Sequence, residues 1–312
     1  MSTTRITPTR MLVGYDGSPA ASAAIEAGAQ LFPRAHAWVA HMWTPPFAST
    51  SLRDRLWTGP SNIDEFVEAI EREGKREADR MAAIGVTLAG VAGWDAEPLV
   101  VRSYGGEGLR FAELSEKVDA DVVLIGSRGL GGAQALLGSV SDMVVHYTDR
   151  PVLVVPHPLL IAEFAALANG PVLVGYDGSP GAQTALATAT RLFPTRPLLL
   201  ATVDDGQATG DTTGPPQEGD DTAVTRLQLR GGRGMHGRSV AAALVGCARS
   251  RAAGVLVVGT RGRSAVREIL LGSVAMATLH HAYLPVLVVP SGSPAAGDSR
   301  ATTTSSPASA AT

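Results

Sequence analysis

Two stretches of this chain have the residue types and spacing to hold a phosphate. The fuller one reads Gly259-Thr-Arg-Gly262, then nine residues, then Gly272-Ser273. It follows an apolar run and opens a helix-like one. Glycines at 259 and 262 let backbone approach a ligand with no Cβ in the way. Gly272 and Ser273 stand where a helix begins, so free N–H groups and the positive end of the helix dipole would face an anion. The earlier stretch has the same parts, Gly126-Ser-Arg-Gly129 and then Gly138-Ser139-Val140, with eight residues between them. Neither is a Walker A loop, because no Gly-Lys-Ser/Thr follows. Neither is the dinucleotide fingerprint, because glycine spacing and chain position differ. Arg128 and Arg261 lie inside the loops, where a guanidinium suits either phosphate or solvent.

A second feature accompanies each loop. Gly14-Tyr-Asp16-Gly-Ser18-Pro19 recurs as Gly175-Tyr-Asp177-Gly-Ser179-Pro180. Asp-Gly-Ser is ordinary turn chemistry. Beside a glycine loop in each copy, a ligand role for Asp16 and Asp177 is the favoured reading. Other chemistry is thin. His280 and His281 are adjacent, so on a helix they point apart, and no carboxylate or cysteine cluster accompanies them. Cys247 sits in an apolar helical stretch and reads as core. No nucleophile elbow, kinase set or two-metal carboxylate pair is visible. A chain that cradles phosphate without a general base is better read as a binder than as a fast hydrolase.

The elements that would position these residues come in two sets. Met11 to Pro19 recurs 161 residues later as Val172 to Pro180. Val-Leu-Ile-Gly at 123–126 matches the run ending at Gly259 at an offset of 133, and Pro151-Val-Leu-Val-Val-Pro156 matches Pro285-Val-Leu-Val-Val-Pro290 at 134. The second copy is therefore 28 residues shorter in its first part, and the first copy one residue shorter between its last two landmarks. Two copies imply tandem domains. They are placed at 9–156 and 170–290, after an arm at 1–8, joined by an apolar connector at 157–169 and followed by a tail at 291–312. That tail is almost all Ser, Thr, Ala, Pro and Gly, and is expected to be disordered.

In the first copy, short apolar runs at 11–15, 37–43, 99–104, 121–126 and 151–155 suit strands of a parallel sheet. Helices are expected at about 19–31, 61–84, 108–118 and 139–148. Ile63, Phe66, Val67, Ile70, Ala78 and Met81 define the apolar face of the long one. Strand and helix in alternation mean right-handed crossovers. The second copy follows the same plan, except that 204–221 carries no amphipathic helix, so the long helix is expected to be missing there.

With 45% hydrophobic and 18% charged residues in 312, the chain has ample material for two cores. A net charge of −3 gives no electrostatic reason to expect nucleic-acid or anionic-membrane binding. The one cysteine excludes an internal disulfide, and no apolar run approaches a membrane span. With a polar segment at 1–8, the expectation is a soluble, cytoplasmic protein.

These motifs together resemble the universal stress protein family in tandem form: the opening strand with Gly-Tyr-Asp-Gly-Ser, the G-x2-G-x9-G-S loop, and the closing Pro-Val-Leu-Val-Val strand. The resemblance implies an α/β, Rossmann-like fold: two tandem open five-stranded parallel sheets in order 3-2-1-4-5, with helices on both faces. It implies ATP, with Mg2+ through its phosphates, at the carboxyl ends of the strands, where open sheets place ligands. Carried over, Asp16 and Asp177 contact the nucleoside, and Gly14 and Gly175 lie under the base. The backbone of Met42 and Val203 pairs with adenine. Gly126, Gly129, Gly138, Ser139 and Val140, with Gly259, Gly262, Gly272, Ser273 and Val274, hold ribose and phosphates. The first copy departs from the pattern by its eight-residue spacing, and the second by its missing helix. The function implied is nucleotide-dependent regulation in the stress response. A slow ATPase or nucleotidyl-transferring enzyme, or a nucleotide-free association module, are the alternatives.

One further expectation concerns 151–156 and 285–290. In this strand order both are sheet edges, and an open apolar edge invites pairing. A covalently attached near-copy would cover both at once, so the two domains are expected to pack through their fifth strands. The family resemblance adds a possible homodimer of whole chains.

Overall fold

The computed structural model describes residues 8–46, 62–127, 138–204, 224–232, 236–260 and 271–291. The first copy builds β1 (Thr9–Gly14), α1 (Pro19–Leu31), β2 (Ala35–Trp43), α2 (Ile63–Val91), β3 (Asp95–Arg102), α3 (Glu107–Lys117), β4 (Val122–Gly126), α4 (Ser139–Tyr147) and β5 (Val152–Val155). A connector helix, α5 (Ile161–Ala166), leads to the second copy. That copy contains β6 (Val172–Gly175), α6 (Pro180–Leu192), β7 (Leu198–Asp204), β8 (Val224–Arg230), α7 (His236–Ser250), β9 (Val255–Gly259), α8 (Ser273–His281) and β10 (Val286–Val289).

Each half has the expected strand order, β3-β2-β1-β4-β5 and β8-β7-β6-β9-β10, and every contact within a half is parallel. The expectation of two separate sheets is corrected. β5 and β10 pair antiparallel, Leu153 opposite Leu287, Val152 opposite Val288 and Val154 opposite Val286, which makes one mixed sheet of ten strands. The reason is the edge problem. Two four-residue apolar strands, each buried on both faces, satisfy each other's free N–H and C=O groups.

The core follows the sheet. One apolar layer lies on the α1, α2 and α6 face and includes Met11, Val13, Leu124, Leu153, Val257 and Leu287. The other lies on the α3, α4, α7 and α8 face and includes Leu12, Phe111, Val144, Leu244, Leu279 and Val286. Both layers run through both halves without a break. At the seam the rings of Phe32 and Phe193 lie 5.0 Å apart. Arg196, only 8% exposed, donates to the carbonyls of Gln30, Leu167, Ala168 and Gly170.

The buried face of α2 shares Ile70 and Ala78 with the one expected and otherwise differs from it. Ile70, Gly74, Ala78, Ala82, Gly85 and Ala89 are buried, whereas Ile63 and Val67 are exposed. Small residues let the helix lie close on the sheet. A Cβ at Gly85 would stand 2.7 Å from both Tyr15 and Val39. The 205–221 part of the helix-free stretch, the 292–312 tail and the 1–7 arm lie outside the described residues.

Candidate nucleotide site

Both halves have a topological switch point. The chain leaves β1 toward β2 on one side and returns through β3 to β4 on the other; β6, β7, β8 and β9 repeat this. The crevice outside the carboxyl ends of β1 and β4, and of β6 and β9, is where such sheets receive ligands. Of the residues singled out in the two motif pairs, the described ones lie at these two ends.

The acidic loop is built alike in both halves. The Tyr15 N–H donates to the Ala40 carbonyl at 2.9 Å, and that of Tyr176 to Ala201 at 2.8 Å. Asp16 Oδ1 accepts the Ser18 N–H at 2.9 Å, and Asp177 Oδ1 that of Ser179 at 3.0 Å. Ser18 and Ser179 then cap α1 and α6, each hydroxyl oxygen accepting an N–H at 3.2 Å from Ala21 or Ala182. Pro19 and Pro180 occupy the first helical position, where a missing N–H is harmless. Gly17 and Gly178, with φ of 79° and 78°, supply the left-handed turn between carboxylate and cap. Asp16 is exposed and Asp177 half-buried.

The helices that follow β4 and β9 begin differently. α4 starts at Gly138 (φ −62°, ψ 150°) and α8 at Gly272 (φ −60°, ψ 150°), and neither has a side-chain cap. The first-turn N–H groups, those of Ser139 and Val140 and of Ser273 and Val274, carry the positive end of the helix dipole without a side-chain acceptor. The Ser141 hydroxyl ties α4 to β4 by donating to the Gly126 carbonyl at 3.0 Å. In the second half, the Gly272 N–H donates to Thr260 O at 2.7 Å and closes the loop. Arg128, Gly129, Arg261 and Gly262 lie outside the described residues.

Two of the glycines have a reason other than ligand approach. A Cβ at Gly126 would stand 2.5 Å from the Ala20 carbonyl oxygen, and one at Gly259 would stand 2.6 Å from that of Gly181. The first turns of α1 and α6 press on the strand ends, and only glycine fits beneath them. Gly14 and Gly175 are likewise crowded by core side chains: Phe111 at 3.0 Å and Leu244 at 3.1 Å. Met42 and Val203 are half-buried near the ends of β2 and β7, paired with Val101 and Leu229.

Two contacts were missed from sequence. The His41 Nδ1–H donates to the Tyr15 carbonyl at 2.8 Å. Met81 of α2 presses on the acidic loop, so that a Cβ at Gly17 would stand 2.5 Å from its sulfur. A signal for the first existed. Ala35, Ala37 and Val39 alternate inward along β2, so His41 is a polar residue on the inward face.

A groove of about 510 Å³ lies over β2 and β3, beside α2, lined by Trp43, Glu68, Glu71, Arg72, Lys75, Val100 and Arg102. It is not the crevice at β1 and β4, and its charges are matched internally: Arg102 meets Glu71 at 2.6 Å and Arg72 meets Glu68 at 3.7 Å. Among the described residues, no cluster of His, Cys, Asp or Glu could hold a metal ion, and no helix is long and apolar enough to cross a membrane.

The fold and its repeated features define a class: a doubled, doubly wound α/β protein in which each half sets an uncapped helix start beside an aspartate loop. The family model for the universal stress protein family matches residues 8–156 and again 169–290, so this chain belongs to that family. A universal stress protein of Mycobacterium tuberculosis is 33% identical over 186 residues, covering 54% of this chain and 62% of the relative. One from Synechocystis is 28% identical over 179 residues, covering 55% and 58%. The chain thus spans about six tenths of the length of these curated relatives. The crystal structure of a universal stress protein from Archaeoglobus fulgidus shares the fold. Its TM-score is 0.62 at 21% identity, with 91% of this chain and 98% of that one covered.

Proposed function

We propose that this chain binds adenine nucleotide, ATP with Mg2+ carried on its phosphates, and that occupancy biases its shape or its choice of partner. One observation carries the reading: α4 and α8 both start on an uncapped glycine at the switch-point end of the sheet, opposite an aspartate loop of matching geometry. The donor set fits a phosphate chain. Backbone N–H groups at a helix start favour an anion, and with no acidic cluster among the described residues the cation would arrive on the nucleotide. Asp16 and Asp177 would take the nucleoside hydroxyls, and the backbone at Met42 and Val203 the base edge. Gly129 and Gly262 would complete the loops. Binding without fast turnover is the activity expected of this set.

The test is mass spectrometry of nucleotide released on denaturation, paired with calorimetry of the stripped protein. At least one equivalent of adenine nucleotide is expected. Gly129→Glu and Gly262→Glu should each remove nucleotide from its own half only, because each puts bulk and negative charge beside the phosphates. No heat and no thermal shift at millimolar ATP would overturn the reading. Steady-state turnover of bound ATP would move it to a slow ATPase.

A further inference from the structure

We propose that His41 is a positioning residue for the first cradle: its ring holds the peptide that leads into Asp16, so the carboxylate is set before a nucleotide arrives. The inference rests on the nucleotide reading above.

Three bonds fix the acidic loop in both halves: tyrosine N–H to strand, aspartate to serine N–H, and serine to helix N–H. The first half has a fourth. His41 Nδ1 lies 2.8 Å from the Tyr15 carbonyl oxygen. A carbonyl only accepts, so Nδ1 carries the hydrogen. This carbonyl belongs to the peptide joining Tyr15 to Asp16. Fixing it restrains both the ψ of Tyr15 and the φ of Asp16, which the other three bonds do not hold directly. The ring stays well placed because β2 is inside the sheet, with His41 paired to Val100 on one side and Ala40 bonded to Tyr15 on the other.

The second half has the same strand and the same loop, but Thr202 at this position. Among the described residues no hydrogen bond joins Thr202 to the Tyr176 carbonyl, and a threonine hydroxyl oxygen stands one bond nearer the backbone than the imidazole Nδ1. The imidazole bond to the tyrosine–aspartate peptide is therefore a feature of the first cradle. Ordering a loop in advance removes that part of the entropic cost of binding. The first cradle is also the one with the eight-residue glycine loop.

The experiment is a double-mutant cycle on nucleotide affinity. It uses the full chain carrying Gly262→Glu, so that the second cradle is closed. His41→Thr should weaken ATP binding about three- to tenfold, the worth of one hydrogen bond. In an Asp16→Ala background the same change should have no further effect, since there is no carboxylate left to position. His41→Asn, whose amide nitrogen falls near the place of Nδ1, should recover most of the affinity. It also guards against a threonine variant that simply folds poorly. A loss that is equal with and without Asp16, or no loss at all, overturns the positioning role. If the Gly262→Glu parent binds no ATP, the nucleotide reading of the first half fails and takes this inference with it. Only a parent that binds ATP isolates a failure of the inference itself.

Discussion

At the amino ends of its strands, the first half is held by ions. The turn before β4 carries Asp119, paired with Arg10 and with Arg150 at 3.0 Å, while Asp121 pairs with Arg10 at 3.2 Å and with Arg191 of the second half at 3.7 Å. The second half has Pro171, Ala252, Gly254 and Leu284 in the positions of Arg10, Asp119, Asp121 and Arg150. The backbone is the same: Asp119 and Ala252 both have φ of 49°. What differs is the cover. The connector helix α5 lies on that end of the second half, where Ala162, Glu163 and Ala166 line a cavity of about 50 Å³ with Val245, Ala248, Arg249, Ala252, Ala253, Tyr283 and Leu284, and one ion pair, Glu163 to Arg249 at 3.7 Å, crosses it. A covered end favours apolar contacts. The first half has no such connector among the described residues, and its arginines and aspartates remain partly exposed. One sequence pattern has been fitted to two environments: the carboxyl ends of the strands keep matching aspartate loops and uncapped glycine helix starts, while the amino ends have diverged.

The seam between the halves is where the comparison breaks most readily. Leu153 and Leu287 face each other in the β5–β10 ladder, and both are 0% exposed. The double variant Leu153→Asp, Leu287→Asp would bury two unpaired like charges. Each costs several kcal/mol, against a total stability of about 5–15 kcal/mol. Separation of the halves, unfolding or aggregation is the expected result, read by thermal melting and small-angle scattering. An unchanged melting point and radius of gyration would mean the ladder does not hold the halves together.

Arg196 sharpens the same point with a smaller effect. It stands where the first half has Ala35; its guanidinium lies 5.9 Å from the Phe193 ring centre and donates to backbone carbonyls at the carboxyl ends of α1 and α5 and at the start of β6. Helix carboxyl ends favour a cation. Burial pulls the guanidinium below its ordinary value, yet an arginine still stays charged at neutral pH. Arg196→Met keeps the stem and removes the donors. It should lower stability in urea by about 2–4 kcal/mol, the worth of one or two charge-assisted bonds. A loss of less than about 0.5 kcal/mol, the size of an ordinary surface change, would show that the clamp is replaceable.

Much of this was legible because each half is a run of buried strands. A four- to six-residue apolar segment between helices leaves little choice of fold, and the repeated Gly-Tyr-Asp-Gly-Ser and Gly-Ser signals fix where the strands end. Three things were not legible. β3 begins at Asp95 rather than near Leu99, since Asp95-Ala-Glu-Pro98 has no apolar pattern and a proline is tolerated on a sheet edge. The contact face of α2 is written in glycine and alanine, which a search for large apolar residues passes over, and so its continuation to Val91 was missed. The role of Gly126 and Gly259 under a helix turn is a tertiary contact that no local spacing encodes.

The smallest expected effects test the two left-handed turns directly. A left-handed conformation costs a residue with a Cβ about 1–2 kcal/mol, while glycine loses about 0.5–1 kcal/mol of chain entropy on folding. Ala252→Gly should therefore stabilise the protein by about 0.5–1 kcal/mol. Asp119→Gly relieves similar strain but gives up two ion pairs, and that side chain is 50% exposed, so the pairs contribute at most about 1 kcal/mol. Asp119→Gly should therefore come out near zero where Ala252→Gly gains, despite identical backbone φ. The ion pairs add a pH signature. Hydrogen bonding to Arg10, aided by the charges of Arg10 and Arg150, holds the Asp119 carboxyl below its usual 3.8. A carboxyl depressed on folding adds stability above the unfolded value, and loses it as pH falls through the lower folded one. The penalty of Asp119→Asn should thus be complete at pH 6 and smaller at an acidic pH below 3.8, whereas the gain from Ala252→Gly should not vary with pH. Urea unfolding of both variants at the two pH values would decide. Matching responses would mean that the first half's ions do no more than the second half's alanine.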